Sequence, residues 1–270
     1  MNLHVNMAMP DFMIIGTQRG GTTSLYNYLL AHPQIAAATK KEVHFFDRHF
    51  QHGIPWYRAQ FPSLIQGDMG ETIGRQGVIT GEASPYYLFH PHAPARAALV
   101  VPKTKLIVLL RNPVDRAYSH YYHNIKRRYE TLSFEEALAQ EETRTRDEGQ
   151  RLAADPHYYS YNHQHYTYLA RGMYADQLQR WMNSFPQEQF FILKSEDFYA
   201  TPDRKLKEIF QFLGLPDVAC VQQQEYKPFS SSTYSQGKME PEMRKRLLTY
   251  FEPYNERLST LLGRDFGWDR

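Results

Sequence analysis

The sequence predicts an α/β protein in which a central parallel sheet is covered by helices on both faces. Buried strand patterns at residues 12–15, 77–81, 105–110 and 189–194 alternate with helical patterns along the 270 residues. A glycine-rich turn follows the first strand pattern, and no repeat or linker divides the chain. Sheets of this kind bind their ligands at the carboxyl ends of the strands. We therefore expect one P-loop-like domain over residues 1–270, with its site at that edge.

The glycine-rich turn predicts a phosphate site. Residues 16–25 follow the P-loop pattern of glycine, four residues, glycine, lysine and Ser/Thr, with Gly16 and Gly21 as the two glycines. Such a turn points backbone N–H groups and a helix N-terminus at an anion. Thr22 stands where the lysine belongs, however, and Arg19 is the only basic residue in the loop. The loop therefore lacks the lysine that an ATPase or kinase places on the β/γ-phosphates.

A second anion-binding position is predicted at the end of the strongest strand pattern, residues 105–110. In ATP-using P-loop enzymes such a strand often ends in an aspartate that holds magnesium. Here it ends in Arg111, and Asn112-Pro113 then begins a helix. An arginine at the carboxyl edge of a parallel sheet binds phosphate directly. The pattern indicates phosphate recognition without a metal.

A candidate acid–base pair lies in residues 40–47, where polar groups alternate with aromatic rings. Read as a strand, this stretch places Glu42 and His44 on one face beside the phosphate loop, where either could act as a general base. An equally simple interpretation is a solvated edge strand.

The remaining patterns assign helices and loops. Helical patterns cover residues 22–30, 94–101, 166–185, 202–212 and 241–262, and Ser133 with Glu136 forms a capping-box signature. Residues 1–10 are expected to be a flexible N-terminus. Residues 141–162, charged and then tyrosine-rich without a clear period, are expected to be a lid or a mobile loop.

Composition narrows the function classes. The net charge of +2 gives no field that would favour nucleic acid. Cys220 is the only cysteine, which excludes an internal disulfide and a cysteine metal cluster. The N-terminus lacks a signal-peptide pattern, and no apolar run approaches the length of a membrane span. We expect a cytoplasmic protein without a membrane span.

Two motifs, residues 16–25 and 110–119, together resemble the 5′-phosphosulfate loop and the 3′-phosphate motif of sulfotransferases that use 3′-phosphoadenosine 5′-phosphosulfate (PAPS). Residues 41–47, 52–57 and 82–86 resemble the heparan sulfate 3-O- and N-sulfotransferase branch. The likeness covers nearly the whole chain and implies the sulfotransferase fold.

The resemblance also implies roles for individual residues. Glu42 matches the general base of the branch, with His44 as its orienter or as an alternative base. Arg19 would neutralise charge on the oxygen between phosphorus and sulfur. Arg111 and Ser119 would hold the 3′-phosphate, and the chain between them would have to fold back, because eight residues span about two helical turns. The implied PAPS-binding residues are Arg19, Gly20, Gly21, Thr22, Thr23, Ser24, Arg111 and Ser119, with no metal.

Departures from the branch bear on the acceptor. Ala83 stands where the branch often has a lysine, and residues 230–236 hold no clear basic counterpart to a phosphate-binding loop, for which Lys227 or Lys238 could compensate. Fewer cations favour a neutral carbohydrate, lipid or small hydroxyl compound over a polyanionic glycan. O-sulfation is favoured over N-sulfation, and the oligomeric state is left open.

Two other functions stay open on the sequence. A P-loop nucleotide or small-molecule kinase would need a loop lysine and an acidic magnesium ligand, and neither appears where expected. A non-catalytic nucleotide-binding module could keep the same loop without the chemistry.

Overall fold

A computed structural model describes residues 4–66, 72–73, 77–217 and 239–268 of the chain. Its central sheet has five parallel strands in the spatial order β3-β6-β2-β7-β8. A smaller antiparallel sheet has the order β1-β4-β5. The strands are β1 (His4–Met7), β2 (Phe12–Gly16), β3 (Ile35–Ala37), β4 (Ser63–Gln66), β5 (Thr72–Ile73), β6 (Ile79–Glu82), β7 (Lys105–Leu110) and β8 (Phe190–Lys194).

Helices surround the sheet and include the one predicted directly after the glycine-rich turn. They are α1 (Thr22–Leu29), α2 (Gly53–Arg58), α3 (Ala93–Val100), α4 (Pro113–Lys126), α5 (Phe134–Ala139), α6 (Glu141–Thr145), α7 (Glu148–Ala154), α8 (Tyr161–His165), α9 (Tyr174–Met182), α10 (Ser195–Ala200), α11 (Pro202–Leu213) and α12 (Pro241–Leu262). Among the described residues, none of these is long and apolar enough to cross a membrane.

Strands β2 and β7 separate two hydrophobic cores, because successive side chains of a strand point to opposite faces. Met13 and Leu106 pack on one face with residues of α3, α9 and α12. Phe12 and Ile107 pack on the other face with residues of α1, α10 and α11. All four of these side chains are fully buried. The predicted parallel sheet with helices on both faces is confirmed.

The N-terminal expectation is wrong for part of its range. Residues 4–7 form β1, which pairs antiparallel with β4 from His4 opposite Gln66 to Met7 opposite Ser63. The partner strand lies about 60 residues further along the chain, so no local pattern indicates this pairing.

For residues 141–162, the sequence predicts a lid or a mobile loop. The structure places α6, α7 and the start of α8 there, so the loop alternative is wrong, whereas the lid stays a prediction. These helices have only five to seven residues each, which is too short for a helical period to show in the sequence.

The helix expected over residues 166–185 begins only at Tyr174. It is preceded by a short 3-10 turn at Ala170–Gly172, which packs against α4 and approaches Phe251 of α12. A Cβ at Gly172 would lie 2.5 Å from the ring of Phe251, so glycine permits this close approach.

Candidate functional site

A cavity of about 500 Å³ opens at the carboxyl ends of the parallel strands. The cavity is lined by Arg19 of the turn after β2 and by Thr22 and Thr23 at the start of α1. The segment after β3 lines it with Lys41, Glu42 and His44. This is the edge at which doubly wound sheets bind ligands. The structure therefore brings the predicted phosphate loop and the predicted acid–base pair into one cavity.

The phosphate loop ends at the N-terminus of α1. Gly21 precedes the helix with φ of 101°, a left-handed conformation that favours glycine. A Cβ there would lie 2.6 Å from the Tyr199 hydroxyl oxygen. The first-turn N–H groups and the positive dipole end of α1 thus reach the cavity at Thr22, where they favour an anion.

Arg19 contacts both residues that are predicted to bind the 3′-phosphate, Arg111 and Ser119. Its Nε donates to Ser119 Oγ at 3.1 Å, and Arg111 donates to the Arg19 carbonyl oxygen at 3.0 Å. Burial lowers the pKa of Arg19, and the nearby charges of Arg111 and Arg127 lower it further. Positive charge concentrated in this way fits a ligand with several negative charges.

The expectation that the chain folds back between Arg111 and Ser119 is wrong. Pro113 already begins α4, whose N-terminus is capped by Asn112 accepting from the Val114 N–H at 2.9 Å. Ser119 therefore lies within a regular helix, and it meets Arg111 through Arg19 instead.

The acid–base pair is in contact and has a third member that the sequence did not indicate. His44 Nε2 lies 3.2 Å from Glu42 Oε2, and His44 Nδ1 lies 2.7 Å from Asp47 Oδ2. The Asp47 side chain is fully buried. The spacing of His44 and Asp47 brings them together only because residues 45–49 form a helical turn, whereas the sequence suggested a strand.

The two predicted bases have opposite charges at neutral pH. Burial opposes ionisation of Glu42, but the hydrogen bond to His44 and the charge of Lys41 outweigh it and lower the pKa of Glu42 to about 2. Burial also opposes protonation of His44, but Asp47 and Glu42 outweigh it and raise the pKa of His44 to about 9. The pair is therefore a carboxylate and an imidazolium.

Residues 43–45 are held by side chains of β6 and of the turn after it, and not by pairing with a neighbouring strand. The N–H groups of Val43, His44 and Phe45 donate to Glu82 Oε2, Ser84 Oγ and the Tyr87 hydroxyl at 3.2, 3.1 and 2.8 Å. His44 has φ of 56°, which no regular strand allows. The predicted strand over residues 40–47 is absent for this reason.

Glu82 accepts most of the hydrogen bonds that hold residues 43–45 and the side chains around them. It is fully buried and also accepts hydrogen bonds from the Ser84, Tyr57 and Tyr87 hydroxyls. Burial raises its pKa to about 7, although these donors act in the opposite direction. The sequence placed Glu82 in a family motif but gave it no structural role.

Some predicted residues lie behind the cavity surface. Ser24 is fully buried in α1, and the Gly20 carbonyl oxygen accepts from Ser195 Oγ at 2.7 Å. Cys220, Lys227, residues 230–236 and Lys238 lie outside the described residues. Within the described part of the chain, no group of three His, Cys, Asp or Glu side chains could hold a metal ion.

Another part of the cavity lining combines cations with aromatic rings. Arg48 and Arg127 line it together with Tyr159 and Tyr161. Arg48 lies over the Tyr159 ring at 5.6 Å from its centroid. No role for these four residues is predicted from the sequence, apart from the tyrosine-rich character of the segment that holds Tyr159 and Tyr161.

Known proteins resemble this chain over most of its length. A family model described as the sulfotransferase domain matches residues 9–254. The membrane-associated sulfotransferase kil1 of Dictyostelium discoideum is 29% identical over 97% of this chain and 67% of its own length. The heparan sulfate glucosamine 3-O-sulfotransferase 3A1 of Mus musculus is 29% identical over 97% of this chain and 65% of its own. The chain thus spans about two thirds of the length of these curated relatives.

A solved structure is similar over the whole fold. The crystal structure of a sulfotransferase from Alicyclobacillus acidocaldarius is 33% identical and matches with a TM-score of 0.72, covering 97% of this chain and 100% of that one. This likeness and the parallel sheet confirm the predicted fold class.

Proposed function

Because this chain belongs to the sulfotransferase family, we propose that it transfers a sulfuryl group from PAPS to an acceptor hydroxyl without a metal. The strongest support is that one cavity is lined both by an anion-binding loop and by a possible base. One is a cationic loop at the N-terminus of α1, and the other is an ionised carboxylate, Glu42. A donor with several negative charges and a hydroxyl acceptor need these two parts next to each other.

The residues present fit such a donor. The backbone of residues 20–24 and the α1 dipole would bind its 5′-phosphate. Arg111 and Ser119, both in contact with Arg19, would bind its 3′-phosphate. PAPS, when bound, supplies an activated sulfuryl group. Arg19 would stabilise the charge left on the phosphate side as that group leaves.

Glu42 is the better base of the two predicted candidates. His44, with its pKa raised to about 9, is protonated at neutral pH and faces Asp47 and Glu42 with its two nitrogens. It therefore has no lone pair for an acceptor proton and orients Glu42 instead. Glu42 is ionised and takes the proton of the acceptor hydroxyl as that oxygen attacks.

The acceptor side combines apolar rings and cations. Tyr159 and Tyr161, 49% and 40% exposed, offer flat faces at the cavity mouth. Such rings suit a carbohydrate or lipid, which presents hydroxyls on an apolar frame. Arg48 and Arg127 in the same part of the lining add positive charge, so an acceptor with an acidic group is also compatible with this cavity.

Calorimetric binding tests the donor class. Adenosine 3′,5′-bisphosphate (PAP), the desulfated product, and ATP are titrated with magnesium and with a chelator. We expect PAP to bind equally in both conditions and Arg111→Ala to weaken it at least about tenfold, as loss of a charged hydrogen bond predicts. Lys103→Ala is the control, because Lys103 is exposed at the opposite end of β7. A preference for ATP with magnesium would favour a kinase, and binding of neither would indicate a non-catalytic module.

A further inference from the structure

Lys41 links the phosphate loop to the carboxylate. Its Nζ donates to Thr23 Oγ1 at 2.7 Å and lies 2.8 Å from Glu42 Oε1. Thr23 belongs to the loop and first turn of α1, whereas Glu42 is the proposed base, and all three residues line the same cavity. The ammonium group thus stands at the boundary between the donor and acceptor halves of the site.

The backbone fixes this position. The Lys41 carbonyl oxygen accepts from the Ala83 N–H at 2.8 Å, and the next residues are held by Glu82 and Ser84. The Lys41 side chain is only 21% exposed. These contacts distinguish it from an ordinary surface lysine, whose ion pairs contribute little. Its neighbour Ala83 is where the sequence resemblance led us to expect a cation, and Lys41 supplies one from the adjacent segment.

The Lys41 ammonium group can donate one further hydrogen bond. Lysine carries three N–H donors, and Thr23 and Glu42 engage two of them. Arg19 provides positive charge on the phosphate side of the loop, where it contacts Ser119 and the Arg111 side chain. A group that moves from phosphate to acceptor needs a cation between the two, and Lys41 lies there.

We propose that Lys41 is a catalytic cation that contacts the transferred sulfuryl group and holds Glu42 beside it. This inference rests on the proposed function. It makes Lys41 responsible for recognition of the sulfuryl group and leaves recognition of the nucleotide phosphates to Arg19, Arg111 and Ser119.

The test compares two ligands that differ only in the sulfuryl group. Calorimetry measures the dissociation constants of PAPS and PAP for the wild type and for Lys41→Met. We expect Lys41→Met to weaken PAPS about tenfold relative to PAP, the size expected for one charge-assisted hydrogen bond. Lys40→Met is the matched control, since Lys40 is the exposed neighbour of the same type, and its ratio should equal that of the wild type.

Two further variants separate the possible outcomes. Lys41→Arg keeps the charge and should retain more of the preference for PAPS than Lys41→Met does, which would show that loss of the fold is not the cause. Arg111→Ala should weaken both ligands together. An unchanged ratio of PAPS to PAP affinity in Lys41→Met would overturn the role of Lys41 while leaving the donor class intact. Failure of the wild type to bind PAP would overturn both proposals.

Discussion

Asp47→Asn tests the assignment of His44 as a residue that is protonated at neutral pH and orients Glu42. Asp47 Oδ2 lies 2.7 Å from His44 Nδ1, and its side chain is fully buried. The pKa of His44 stands at about 9 against an ordinary 6.5 although burial acts to lower it, and Asp47 is the largest of the groups that raise it. At about 1.4 kcal/mol for each pKa unit, this amounts to about 3 kcal/mol in favour of the imidazolium.

Without the Asp47 charge, burial opposes the remaining support from Glu42. We expect the pKa of His44 in Asp47→Asn to fall to about 7 or below, so that the ring is largely neutral at pH 8. The measurement is an NMR titration of the histidine Cε1 resonances, assigned with His44→Gln. A pKa that stays near 9 in Asp47→Asn would refute the reasoning, because the ion pair would then not be what holds the proton.

The same change has a thermodynamic signature with a defined sign. A group whose pKa is raised by folding stabilises the protein below its unfolded pKa, and this contribution is lost as the pH rises through the folded value. As the pH rises from 6.5 to 9.5, the unfolding free energy of the wild type should therefore fall by up to about 3 kcal/mol more than that of Asp47→Asn. Urea unfolding of both proteins at the two pH values measures this difference, in which other titrating groups cancel.

Three other changes test the site and its support. Glu42→Gln should lower ³⁵S transfer from PAPS to hydroxyl acceptors by about 10²-fold or more while PAP affinity stays within about threefold, because an amide cannot take the proton; persistent transfer would make His44 the leading base. Gly21→Ala should weaken PAP binding in calorimetry, because a Cβ would lie 2.6 Å from the Tyr199 hydroxyl, whereas Gly149→Ala, with no atom within 4 Å, should not. The pKa of Glu82 is higher in the folded than in the unfolded state, so the wild type should lose about 3 kcal/mol of unfolding free energy as the pH rises from 4.5 to 7.5. Glu82→Gln should not show this loss in urea unfolding, and an equal loss in the variant would contradict the assignment.

Local patterns were sufficient for much of the fold. β7 and α12 have the bounds that the sequence predicts, because a continuous apolar run and a long amphipathic period are strong signals. The capping box of Ser133 and Glu136 is also confirmed, since it depends on four consecutive residues alone. The pairing of β1 with β4 and the short helices after residue 140 depend on distant contacts or on too few residues to show a period.

The sequence predicted several residues of the site but not how the backbone arranges them. Glu42 and His44 do meet, but on a segment held by side chains of β6 and the turn after it instead of on a strand. Asp47 could be found only with knowledge of the helical turn at residues 45–49. The contact of Lys41 with Thr23 joins two segments whose separation of 18 residues carries no sequence signal.

The way in which residues 43–45 are anchored has a consequence for how this enzyme could change over evolutionary time. Backbone pairing between strands does not depend on side-chain identity, whereas the hydrogen bonds that the side chains of Glu82, Ser84 and Tyr87 accept can each be altered by a single substitution. A substitution at Ser84 would shift the Glu42 carboxylate without disturbing the parallel sheet, which is paired through other residues. Directed evolution of acceptor range should therefore begin at Ser84 and Tyr87, beneath the reacting groups, before the residues that line the cavity are varied.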